Sequence, residues 1–205
     1  MKSNGTNISA ALASERERPS SAILDPADTP TACGLSRLAP GVLNDRAKSE
    51  HEGKRSSSRL LIIGYGNPLR GDDGVSWQIA DQLARLVGDS ARVLTVHQLT
   101  PELAEPISGT DLVVFIDACY EGKPGTWTCE TIRPDGNPSH TFTHYFTPAN
   151  LLSYTRAVFG VNPRALLVSV VGGSFDHSQE LSLTVAAIVP EIVASVSEWW
   201  NAGAG

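Results

Sequence analysis

Apolar positions along this chain follow two alternating rhythms. Leu60, Leu61, Ile62 and Ile63 run without interruption, as do Leu112, Val113, Val114, Phe115 and Ile116, and again Ala165, Leu166, Leu167 and Val168. Runs of that length suit strands buried on both faces. Between them, Val75, Ile79, Leu83 and Leu86 recur at helical spacing, and Val185, Ile188, Ile192 and Val196 do the same near the end. In order, the pattern predicts a strand over 59–65, a helix over 75–87 ending near Gly88, and a strand over 92–97. A short helix opens at Thr100-Pro101-Glu102, with a cap, a proline at its first position and an acidic first turn. A third strand follows at 111–117. Residues 126–132 alternate and are rich in β-formers, as a half-exposed edge strand would be. Thr147-Pro148 opens a helix that Gly160 stops, a fifth strand spans 164–171, and a last helix spans 182–200.

Alternation of this kind implies βαβ units. The expected fold is a three-layer α/β sandwich of the phosphorylase/hydrolase-like kind: a mainly parallel, twisted five-stranded sheet with helices on both faces. Residues 1–57 show no sustained period and are rich in Ser, Pro, Arg and Glu, so they read as a disordered extension ahead of one domain at 58–205.

Composition sharpens the picture. Charged residues make up 19 % and hydrophobic residues 41 % of the 205, enough apolar material for a packed core. The net charge of −6 is concentrated in residues 58–205, where fifteen Asp/Glu face eight Lys/Arg. With no basic run, electrostatic binding to nucleic acid or anionic lipid is not expected. The three cysteines form no CxxC pair and fit a reducing compartment. Neither a signal peptide nor a stretch of membrane-span length stands out, and a cytoplasmic monomer is expected.

The chemistry concentrates after the first strand. Gly64, Gly66, Asn67, Pro68 and Gly71 shape a loop that ends on Asp72 and Asp73. Gly64-Tyr65-Gly66 resembles half of a dinucleotide fingerprint, but Leu69 stands where the third glycine belongs, and His97-Gln98 offers no acid for a ribose. An acidic pair would also repel a pyrophosphate. By spacing alone, Asp72-Asp73-Gly74 reads as a turn with a helix N-cap. Asp117, ending an apolar strand, needs a partner. In parallel sheets ligands gather beyond the C-terminal strand ends, where Asp72, Asp73 and Asp117 fall together. The loop before the helix at 148 adds His140 and His144. Two carboxylates and an imidazole would form an open site for a borderline ion such as Zn²⁺ or Ni²⁺. Cys119 reads as structural, because no neighbouring cation lowers its pKa. No H-E-x-x-H, G-x-S-x-G or P-loop occurs.

Gly64-Tyr-Gly-Asn-Pro-Leu-Arg-Gly-Asp-Asp-Gly-Val-Ser76, Ile116-Asp117-Ala118 and His144-Tyr-Phe-Thr-Pro148 stand in that order. In these segments the chain resembles the hydrogenase maturation proteases, whose pattern runs roughly G-x-G-N-x-L-x-x-D-(D/E)-G-x-G, then a strand ending in Asp-Ala, then a histidine before a capped helix. The likeness covers about residues 59–200. It implies an endopeptidase, classed as aspartic-type, that removes the C-terminal extension of a nickel-loaded NiFe hydrogenase large-subunit precursor and so activates that enzyme. It further implies that Asp73, Asp117 and His144 act as catalytic and metal-contacting residues, reading nickel carried by the substrate with no organic cofactor. His140 is the alternative histidine. Ser76, where the family usually has glycine, is expected to matter only for packing. A chaperone that holds the nickel-loaded subunit without cutting it would need the same ligands.

Overall fold

The computed structural model describes residues 60–135 and 146–203. Its sheet has five strands: β1 (Leu60–Tyr65), β2 (Arg92–Val96), β3 (Leu112–Cys119), β4 (Trp127–Ile132) and β5 (Arg164–Val171). The order is β2-β1-β3-β5-β4, all parallel except β4, which pairs antiparallel with β5 at the edge. The helices are α1 (Val75–Val87), α2 (Ala104–Ser108), α3 (Pro148–Phe159) and α4 (Leu183–Gly203).

Period-two alternation sorts the strand residues into two cores. Leu60, Ile62, Val114, Ile116, Val168 and Val170 face one way, beneath Val75, Ile79 and Leu83 of α1 and Val185, Val189 and Ile192 of α4. Leu61, Ile63, Val113, Phe115 and Ala165 face the other, beneath Leu103, Ala104, Ile107, Leu151 and Leu152. The three-layer architecture expected from the pattern is the one observed, and the predicted bounds of α1 and β5 coincide with the observed ones. Thr147 caps α3 by accepting from the Asn150 amide.

Two expectations change. The adjacent aspartates do not cap α1: Gly74 occupies that position, without a side-chain cap, and both aspartates lie in a 3-10 turn over Gly71–Gly74 that leads into the helix. The last helix also extends further than 182–200 and, by length and composition, is apolar enough to cross a membrane, with a mean hydropathy of 1.2 over Leu183–Trp200. Interspersed Ser, Pro and Glu hide that character from a search for unbroken apolar runs. In the fold, one side of α4 covers the sheet beside α1.

The chain runs from β1 to a strand on one side and later returns to pair β1 with β3 on the other. The switch point therefore lies at the C-terminal ends of β1 and β3, where open α/β sheets form their ligand crevices.

Candidate active site

The loop after β1 is held by its own side chains. Asn67 Oδ1 accepts from the Leu69 amide at 3.0 Å, closing an Asx turn. The Asn67 amide donates to Asp73 Oδ2 at 2.9 Å, and Trp77 Nε1 donates to the Gly66 carbonyl at 3.0 Å. Gly66 has φ +139°, and a Cβ there would collide with the Asp73 carbonyl, so only glycine lets the loop fold back against Asp73. Ser76 does more than pack. It is wholly buried, and its hydroxyl donates to the Tyr65 carbonyl at 2.8 Å, tying the start of α1 to the end of β1.

The two adjacent aspartates have separate fates. Asp72 is fully buried and accepts four hydrogen bonds: from the Gly173 amide (2.7 Å), the Ser174 amide (2.9 Å), the Ser182 amide (2.7 Å) and the Ser182 hydroxyl (2.8 Å). Burial alone would raise its pKa, but these donors outweigh that and hold it below the usual carboxylate range. Around it the segment after β5 is stitched to the acidic loop. The Asp72 amide donates to the Ser174 carbonyl, the Gly71 amide to the Ser178 carbonyl and the Ser178 amide to the Leu69 carbonyl. Asp72 is an anchor, whereas Asp73 beside it accepts from the Asn67 amide of its own loop.

Asp73, half-buried, lies near enough to Asp117 at the end of β3 for its charge to act on it. Burial first, and the Asp73 charge in addition, push the Asp117 carboxyl up to about 6, against a hydrogen bond from the Tyr65 hydroxyl and another from the Ala118 amide. Register explains the Tyr65 contact. Gly64 pairs with Ile116, so the next residues along, Tyr65 and Asp117, stand on the same face at adjoining strand ends. Burial and then the Asp117 charge hold the Tyr65 phenol firmly protonated, so it donates. Tyr65 was not singled out by sequence, because it fills an unspecified place between two glycines; the strand alternation that puts it opposite Asp117 was the available signal. Cys119, half-buried, has its thiol pushed up by burial and by Asp117, as suits a structural cysteine.

His144 and His140 lie outside the described residues. Among the described residues no group of three His, Cys, Asp or Glu side chains is placed to hold a metal ion. What the described residues bring together is the Asp73–Asp117 pair, with Tyr65 behind it. Such a pair can supply oxygen donors to a cation, or an ionisable carboxylate near neutrality to a proton transfer.

No family model and no curated protein matches the chain. Solved structures do. The hydrogenase maturating endopeptidase HybD from E. coli is 25% identical with a TM-score of 0.58, over 71% of this chain and 94% of its own. The hydrogenase 2 maturation peptidase from a Thaumarchaeota archaeon is 26% identical with a TM-score of 0.54, over 70% of this chain and 99% of its own. A NiFe hydrogenase maturation protease, HycI from Thermococcus kodakarensis, shares the fold at 24% identity and a TM-score of 0.56. With nearly the whole of each such structure covered by this chain, it is a peptidase similar in fold and sequence to the hydrogenase maturation proteases.

Proposed function

We propose that this peptidase removes the C-terminal extension of a NiFe hydrogenase large-subunit precursor, and that it does so by reading nickel already seated in that precursor. The observation that carries the reading is the facing pair Asp73 and Asp117. One accepts from the Asn67 amide of its own loop, and the other is held at a pKa of about 6 by burial and by the first. A divalent cation between two carboxylates relieves their repulsion, so the pair favours a substrate that brings one. Two oxygens and an imidazole are donors that nickel accepts, and three ligands leave positions for the precursor's own.

His144 is the third ligand in this reading. It precedes Phe146, which packs against the core on the sheet face where Tyr65 and Asp117 stand. The metal then polarises the scissile carbonyl or the attacking water, and Asp117, ionised at neutral pH, is suited to accept the water's proton. The nickel belongs to the substrate, and the chain works as a cytoplasmic monomer with no organic cofactor.

Mass spectrometry of a nickel-loaded precursor, with and without the protein, tests this directly. The wild type releases a C-terminal peptide, whereas Asp73→Ala and His144→Ala slow release by at least about a thousandfold while remaining folded. An unprocessed precursor with wild-type protein overturns the function. Full processing by either variant overturns the site.

A further inference from the structure

Three loops follow the C-terminal ends of β1, β3 and β5. After β1 come the exposed Leu69 and Arg70, after β3 the exposed Tyr120, and after β5 the half-buried Phe175. The Tyr120 ring stacks on Phe175 with centroids 3.9 Å apart and planes at 26°. Even so, Tyr120 remains 67% exposed. Phe175 is itself fixed: its ring tip lies over Gly172, where any Cβ would collide with it, and its carbonyl accepts from Arg70 Nε at 3.4 Å.

The stack is also held in register with the chemistry. Arg70 is three residues before Asp73, Tyr120 is three residues after Asp117, and Phe175 follows the Gly173 and Ser174 amides that clamp Asp72. The Cβ position at Gly172 that meets the Phe175 ring tip also lies 3.0 Å from the Asp72 Cβ, so the stack stands beside the acidic loop. An aromatic surface built so firmly, yet left open to water, suits contact with an apolar side chain. Tyrosine offers a large rigid area with little entropy to lose, which is why it is enriched among residues that dominate binding.

Building on the peptidase reading above, we infer that the Tyr120–Phe175 stack is a substrate subsite, seating an apolar side chain of the precursor close to the scissile bond. The competing role, a strut that merely joins the β3 and β5 loops, makes different kinetic demands.

The test follows processing of nickel-loaded precursor by the full chain. Tyr120→Ala raises KM about five- to tenfold with kcat within about twofold, and Tyr120→Phe restores the wild-type KM. On the substrate side, each apolar precursor residue within four of the scissile bond is changed singly to Ser. One of these changes raises KM for the wild type and adds nothing further for Tyr120→Ala, the coupling expected of residues in contact. An unchanged KM in Tyr120→Ala overturns the subsite and leaves the peptidase reading intact. So does a loss confined to kcat with a lowered melting midpoint, the mark of a strut. Failure of the wild type to release any peptide is a separate result, which removes the reading and the subsite together.

Discussion

Asp72 and Asp117 stand at the same edge of one sheet, and their surroundings drive them in opposite directions. Asp72 has lost all contact with water but has four donors, so its ionised form is the stable one. Asp117 is less deeply buried, yet it is raised to about 6, because one phenol and one amide do not make up for lost solvation and a neighbouring charge. What separates the two carboxyls is how far the donors around each offset lost solvation, with a neighbouring charge added at Asp117. The adjacent residues differ as well: Asp72 is held by residues 173–182, whereas Asp73 lies near enough to Asp117 for its charge to act on it.

The sharpest way to break that comparison is Asp72→Asn. An amide NH₂ placed among four donors leaves buried groups unpaired, and unfolding in denaturant should show a loss of about 3–5 kcal/mol at pH 7. The sign with pH is fixed. The folded pKa lies below the unfolded one, so the carboxylate's contribution is complete above the unfolded value of about 3.9 and disappears as pH falls through the lower folded value. The gap between wild type and variant therefore closes in acid. A variant of undiminished stability that fails to process precursor would make Asp72 a reactive group and end the contrast.

Asp117→Asn should do the reverse. With a folded pKa of about 6 above the unfolded value, ionising Asp117 costs stability at neutral pH, and that cost fades as pH falls from 6 towards 4. The variant should gain about 1–2 kcal/mol at pH 7.5, the gain shrinking below pH 6, while processing is lost. Destabilisation at pH 7.5 would mean that the Tyr65 hydrogen bond outweighs burial. The smallest effect sharpens the pairing itself. In the protein without substrate, Asp73→Asn removes a like charge, so an NMR titration of the Asp117 carboxyl should move its midpoint below 6. An unmoved midpoint would mean that the two carboxylates do not sense each other.

Much of the frame was legible in sequence because local pattern and tertiary demand agree there. The unbroken apolar runs at 60–63 and 112–116 suit interior strands, and Thr147-Pro148 to Gly160 carries its own start and stop. Asp117 stood out as an acid ending an apolar strand. The split between Asp72 and Asp73 was not legible, since adjacent identical residues differ only in what approaches them, and the approaching groups lie 101 to 110 positions later in the chain. The helix-cap reading of the pair failed for the same reason: long-range donors claimed Asp72 and the loop's own amide claimed Asp73, leaving Gly74 at the cap. Tyr65 and the Tyr120–Phe175 stack were hidden likewise, each set by a neighbour from another strand or loop.

The stitching of the acidic loop to residues 174–182 has a consequence for how the protein comes into being. Asp72 emerges from the ribosome about a hundred residues before its partners, and β1 before both strands that flank it. Closure over so long a span comes late, because chain entropy must be overcome before the contacts repay it. During synthesis, then, the nascent chain holds the carboxylates of a peptidase without the geometry of one. Residues 173–182 close the structure around Asp72.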